Sequence, residues 1–156
     1  MLIGLLLFGL LVAGCTSPPE PTQCTFPAGI TCVSSKLTSD GNLYLRIGQG
    51  TGHSIMVTGV VCTQNTSVNF PVKESIQYSS CGTNCINNIT ISSGNQTTVA
   101  NPGAGFLAIK CTDANGATLT GTVGAMYHGK IYINYTETDT GLTRIIVGTY
   151  KAKYES

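Results

Sequence analysis

From Asn42 onward the apolar residues recur at every second position. Leu43, Leu45 and Ile47 fall on one side of the first such run and Asn42, Tyr44 and Arg46 on the other; Ile131, Ile133 and Tyr135 repeat the pattern late in the chain. A strand sends successive side chains to opposite faces, whereas a helix needs a 3.6-residue period, so the pattern specifies half-buried strands. Ser54 to Cys62 continues it, with Ile55, Val57 and Val61 on one face and Gly59 as an expected bulge. A weaker strand is expected over Asn65 to Lys73, and Ser75 to Tyr78 leads into the loop around Cys81 and Cys85. Further strands are expected over Ile86 to Ser92, Thr97 to Ala100, Gly105 to Thr112, Thr118 to Val123, Lys130 to Thr136 and Leu142 to Tyr154. Gly48-Gln49-Gly50-Thr51-Gly52, Ser93-Gly94-Asn95, Asn101-Pro102-Gly103 and Asp139-Thr140-Gly141 punctuate them. The first and last of these turns predict hairpins, 42–47 with 54–62 and 130–136 with 142–154. About eight short strands, with no helical pattern after Cys15, predict a mainly β domain, an immunoglobulin-like β-sandwich.

Ahead of this domain stands a different kind of sequence. Met1 to Gly14 is apolar and uncharged and is closed by Cys15. Fourteen helical residues reach roughly 21 Å, short of the roughly 30 Å a spanning helix must cross. The length suits the apolar region of an export signal, with the small residues Ala13 and Gly14 at its end. Val12-Ala13-Gly14-Cys15 resembles a lipobox, in which the cysteine, here Cys15, carries lipid. A signal normally has a basic residue before its apolar part, but the first here is Lys36. That points to a start upstream of Met1, or to a run that heads an already processed chain. The bland alternative, a core helix of a globular domain, fits poorly with the proline-rich stretch that follows, Thr16-Ser17-Pro18-Pro19-Glu20-Pro21-Thr22, which reads as an extended spacer. The expected division is an anchor or signal over 1–15, a tether over 16–23 and an exported β domain over 24–156.

That domain, about 130 residues, is long enough to bury its own core. Charged residues make up 10% of the chain and the net charge is +1, so no electrostatic footprint for nucleic acid exists. Seven cysteines are present, and setting Cys15 aside leaves six. In an exported chain an even set implies disulfides. Cys24 and Cys32 flank a segment whose Pro27 and Gly29 suggest a turn, and they are expected to pair. The other four admit three pairings; Cys62 with Cys111 and Cys81 with Cys85 is preferred, because Cys62 and Cys111 end alternating runs. Zinc is not expected: Cys81 and Cys85 lack C-x-x-C spacing, and His53 and His128 are distant in sequence. Copper would want a cysteine beside Met126-Tyr127-His128. No cofactor is expected.

Nor does a catalytic constellation stand out. His53-Ser54 and His128 are the available starting points for a hydrolase, but G-x-S-x-G and H-E-x-x-H are absent and the seven acidic residues are scattered. Binding pockets gather aromatic side chains, and this chain has no Trp; its seven Tyr lie mostly on alternating strand positions, where a solvent-facing or core-edge role is expected. A small-molecule ligand is therefore not expected. Asn65, Asn88, Asn95 and Asn134 each head an acceptor sequon and are candidate glycosylation sites in an exported domain.

Several stretches together carry a resemblance: Cys24-Thr25-Phe26-Pro27-Ala28-Gly29-Ile30-Thr31-Cys32, Gly41-Asn42-Leu43, Gly50-Thr51-Gly52, Val57-Thr58-Gly59-Val60-Val61-Cys62-Thr63, and Gly129-Lys130-Ile131-Tyr132-Ile133-Asn134-Tyr135-Thr136-Glu137 with Gly141-Leu142-Thr143. They cover about half the chain and resemble the surface-exposed domain of archaeal type IV pilin-like proteins, in which an apolar N-terminal helix precedes a cysteine-bearing β domain. The resemblance implies a non-enzymatic structural or adhesive subunit outside the cell, on its surface or in a filament. Its partners would be copies of itself, or membrane lipid, met through residues 1–14. The leader and early acidic residue usual in pilins are missing, so the alternative is a lipid-anchored surface lipoprotein that binds a ligand or partner.

Overall fold

The computed structural model describes residues 18, 20–66, 76–77, 89–103 and 108–156. The expected helix over 1–14, Cys15, Cys81, Cys85, Asn88 and most of the strand expected over Asn65 to Lys73 lie outside the described residues. Ten strands are described: β1 (Gln23–Thr25), β2 (Ile30–Thr38), β3 (Leu43–Gln49), β4 (Ile55–Thr63), β5 (Ile76–Gln77), β6 (Ile89–Ile91), β7 (Gln96–Ala100), β8 (Cys111–Thr112), β9 (Met126–Glu137) and β10 (Thr143–Glu155). Among the described residues there is no helix, and so none long and apolar enough to cross a membrane.

The mainly β class is as the alternation predicts. The strands form one sheet in the order β5-β4-β9-β10-β2-β3-β7, nearly all antiparallel, with the last strand joining β2 in parallel at Tyr154↔Leu37. The sheet is nearly barrel-shaped, because its two ends approach each other at both mouths. At one mouth β6 pairs with β4 while β7 pairs with β3, and the turn between them bonds to Gln49 on both sides (Gly94 N to Gln49 O, 2.8 Å; Gln49 N to Asn95 O, 3.0 Å). At the other, Leu43 N donates to Ile109 O (2.8 Å) and Cys111 N to Gly41 O (2.9 Å), while β8 pairs with β4. These pairings establish a single curved sheet and do not establish the immunoglobulin-like sandwich.

The hairpin predicted across Asp139-Thr140-Gly141 is the backbone of the fold, β9 and β10 pairing from Thr143↔Thr136 to Lys153↔Met126. The hairpin predicted between residues 42–47 and 54–62 does not form. Instead β3 lies between β2 and β7, and β4 between β9 and the short strands β5, β6 and β8. Gln49 supplies the reason. Its side chain is buried, and its carboxamide donates to the carbonyls of His53 and Ile91 (3.1 Å to the latter) and accepts from Thr51 N (2.8 Å). The connecting loop thus closes on a buried side chain and not on a ladder between its flanking strands. Two further expectations shift. The bulge near Gly59 falls at Thr58, where the register steps from Val57↔Tyr135 to Gly59↔Asn134. Thr118 to Val123 forms no strand, only a bridge between Thr112 and Thr118, because this segment crosses close over Tyr154: a Cβ on Gly121 would overlap its ring.

Leu37, Leu43, Leu45 and Ile47 face Ile55, Val57, Val60, Ile131 and Ile133 across the core, all 0–1% exposed. Tyr127, Tyr135, Tyr150 and Tyr154 are buried with them, and Tyr132 is buried outside that cluster, which corrects the solvent-facing or core-edge role expected for tyrosines. With no Trp and four Phe, tyrosine is the main source of large side chains, and it can be buried where its hydroxyl finds an acceptor. Tyr127 donates to Thr112 O (3.3 Å) and Tyr132 to Asn65 O (2.9 Å), while the Tyr127 ring meets Tyr150 at 6.0 Å and Tyr154 edge-on at 6.4 Å. Burial pushes the Tyr150 hydroxyl up to about 12. Two of the predicted disulfides are present: Cys24–Cys32 ties β1 to β2 (Cα–Cα 5.8 Å), and Cys62–Cys111 ties register partners of β4 and β8 inside the core (Cα–Cα 4.5 Å).

Candidate functional site

The strand pairing brings together two groups of polar side chains. The first joins the β3–β4 loop to the β9–β10 turn. His53 Nδ1 lies 2.7 Å from Asp139 Oδ2 across 86 residues of sequence, and Thr138 donates through both its N–H (2.8 Å) and its hydroxyl (3.1 Å) to Ser54 O. Beside them the Glu137 carboxylate, 4% exposed, accepts from Arg144 Nε (2.6 Å) and Thr140 Oγ1 (2.7 Å). These bonds set the protonation of the group. The hydrogen bond to Asp139 raises His53 above its ordinary value, the same bond lowers Asp139, and the Thr140 and Arg144 bonds lower Glu137.

His53, Glu137 and Asp139 offer one ligand atom each within 4.8 Å of one another. The donor set does not fit a cation well. Arg144 occupies the Glu137 carboxylate and places a permanent positive charge beside the position an ion would take. A His–Asp pair is also the supporting half of a nucleophilic triad, but the threonine hydroxyls of the turn are committed elsewhere, Thr140 Oγ1 donating to Glu137 and Thr138 Oγ1 to Ser54 O. The arrangement is a clamp between loop and turn. His128 is in a different place, with Nε2 3.2 Å from Glu20; Lys151 Nζ also donates to Glu20 (2.6 Å), fastening the segment before β1 to β10.

The second group lines a shallow, open groove of about 330 Å³ on the outer face of β2, β3 and β7. Register aligns its side chains in rungs: Ser34 with Arg46 and Thr98 across the three strands, and Lys36 with Tyr44. Asn101 completes one end. Two bulges bracket Arg46. On β2 the register steps from Cys32↔Ile47 to Ser34↔Arg46, passing over Val33, and on β7 from Leu45↔Ala100 to Arg46↔Thr98, passing over Val99. Arg46 itself is exposed, and among the described residues it has no ion pair or hydrogen bond. Lys36 Nζ, by contrast, donates to Ser156 O (2.7 Å).

Sequence inspection did not single out Arg46. Its alternation marked it as outward-facing, but the recess around it depends on partner strands and bulges that no local pattern announces. The candidate sequons differ in setting. Asn95 is exposed in the β6–β7 turn, Asn65 is partly buried just after β4, and Asn134 sits in the middle of β9 with Oδ1 buried. Comparison of the chain with protein-family models, with curated proteins and with solved structures gives no match.

Proposed function

We propose that this chain is a non-enzymatic surface protein that works by association, its disulfide-braced β domain displayed outside the cell and its apolar run 1–14 packed against copies of itself in a pilus-like filament. The observation that carries the proposal is the pair of disulfides, one of them buried in the core, since such bonds form and persist in oxidising compartments. The fastening of Glu20 to Lys151 and His128 supports it, because the spacer then leaves the domain at a defined point beside β10. A short apolar helix over 1–14, an immunoglobulin-like kinship for the domain and glycans on exposed sequons belong to the same proposal.

A second version is favoured by Val12-Ala13-Gly14-Cys15: the domain hangs singly from lipid on Cys15. Burial of the run is worth on the order of 10 kcal/mol before ordering costs in either setting, so energy does not choose between them. Mass spectrometry of the native N-terminus together with electron microscopy of cell-surface fractions separates the two. Filaments containing the chain with an unlipidated N-terminus are the expected result; a monomer released only by detergent and carrying lipid on Cys15 overturns the filament in favour of the lipoprotein.

A further inference from the structure

We infer that the groove around Arg46 is a binding site for the carboxylate of an acidic saccharide, such as a uronate residue in a surface polymer. The guanidinium is a planar fork of donors matched to a carboxylate, and here no acid of the described fold occupies it. Among the described residues that line the groove none is acidic, so the charge an incoming anion meets there is positive. Directly opposite residues on paired strands stand about 5 Å apart, which puts the hydroxyls of Ser34 and Thr98 on either side of Arg46. Tyr44 lies one rung away on the same face, offering an aromatic surface for a sugar ring and a phenol for its hydroxyls. Lys36 beside it adds positive charge, and Asn101 adds an amide that both donates and accepts.

The lining favours a sugar over other anions. A peptide adding as a strand needs a free edge; β7 ends the sheet order, but the recess lies on the face around Arg46 of β3, which is paired on both sides. A phosphate is commonly held by a nest of backbone N–H groups or several free cations, whereas here Lys36 is bonded to Ser156 O and one free guanidinium stands among hydroxyls, an amide and the apolar Leu45 and Ala100. The volume, about 330 Å³, lies at the small end for ligand pockets, and the groove is open, as suits one residue of a polymer that continues past both ends. Register steps on both neighbours at the rung of a single outward side chain are a device for re-aiming it.

The inference deepens the adhesive side of the proposed function, yet it is tested separately from the filament. The full-length chain in non-ionic detergent is titrated with a galacturonic-acid oligosaccharide, with the same oligosaccharide methyl-esterified, with a poly-glutamate peptide and with inorganic phosphate. Binding of the free acid alone is expected. Arg46→Ala should weaken it about ten-fold or more, Arg46→Lys should fall between the two, and Ser34→Asp should abolish it by placing a like charge beside the ligand; Lys130→Ala, on β9, should change nothing. Equal binding of the esterified sugar, preference for the peptide or phosphate, no binding at all, or indifference to both Arg46→Ala and Ser34→Asp each overturns the inference. Filament formation by Arg46→Ala should be unchanged, so failure here leaves the surface proposal standing and failure there leaves the groove.

Discussion

Removal of the Cys62–Cys111 disulfide by Cys62→Ala/Cys111→Ala should cost much more stability than removal of Cys24–Cys32 by the corresponding pair of substitutions. The separations are 49 and 8 residues. On the chain-entropy relation these correspond to about 4 and about 2.5 kcal/mol at 25 °C. Structure widens the gap. The longer loop contains β5, β6 and β7, of two, three and five residues, which attach to β3 and β4 through few pairs each. Both of its cysteines are 0–1% exposed, so truncation also empties core volume beside the Tyr127 hydroxyl, which lies 3.6 Å from Cys62 Sγ. Urea unfolding followed by circular dichroism measures the two variants. The expected loss for the core pair is about 4 kcal/mol or more, or a fall in Tm of about 15 °C, with a larger m because the unlinked unfolded chain exposes more surface. Equal losses, or a larger loss for Cys24→Ala/Cys32→Ala, would refute the assignment of Cys62–Cys111 as the principal brace.

Three other outcomes follow from the clamp, the glycines and the sequons. His53, raised by Asp139, should titrate by NMR above the ordinary 6.5, and Asp139→Asn should return it toward that value. Because the folded pKa of His53 is raised, its contribution is fully present below 6.5 and is lost as pH climbs through the folded value; Asp139, being lowered, contributes above 3.8 and loses its contribution as pH falls. The clamp is therefore tightest in mildly acidic solution, between those limits, and the protection factors of the β3–β4 loop amides, with the intrinsic pH dependence of exchange divided out, should be highest there. Gly129→Ala should destabilise by about 1–3 kcal/mol in thermal melts, since a Cβ there would run into the Tyr127 hydroxyl and come within 2.7 Å of Thr63 O. Where the host glycosylates exported proteins, glycopeptide mapping should find sugar on exposed Asn95 and none on Asn134, whose Oδ1 is buried mid-strand.

What was readable in advance followed local pattern. Ile131, Ile133 and Tyr135 alternate and are buried, Asp139-Thr140-Gly141 turns between β9 and β10, and the flanking positions of Cys24 and Cys32 bring them together. β2 escaped notice because Ile30 and Leu37 are its only fully buried apolar residues, with Thr31, Ser34, Ser35 and Lys36 between them and a bulge at Val33 that breaks the period. The clamp escaped because His53 and Asp139 are 86 residues apart. The pairing of β3 was misjudged because a short glycine-rich turn favours a hairpin locally, while the buried carboxamide of Gln49 binds the loop in another way.

The chain's own residues determine that it is a strand-built, cysteine-braced domain headed by an apolar run, because side-chain period, turn chemistry and cysteine spacing act over a few residues and depend little on what lies opposite. Tertiary structure alone decided which strands became neighbours, that the sheet curls nearly into a barrel, and that Arg46 stands free between Ser34 and Thr98. Backbone hydrogen bonds are alike for every residue but proline, so a strand carries no label for its partner. Partner and register are settled only when the buried faces, the bulges and the few buried polar groups such as Gln49 are satisfied together.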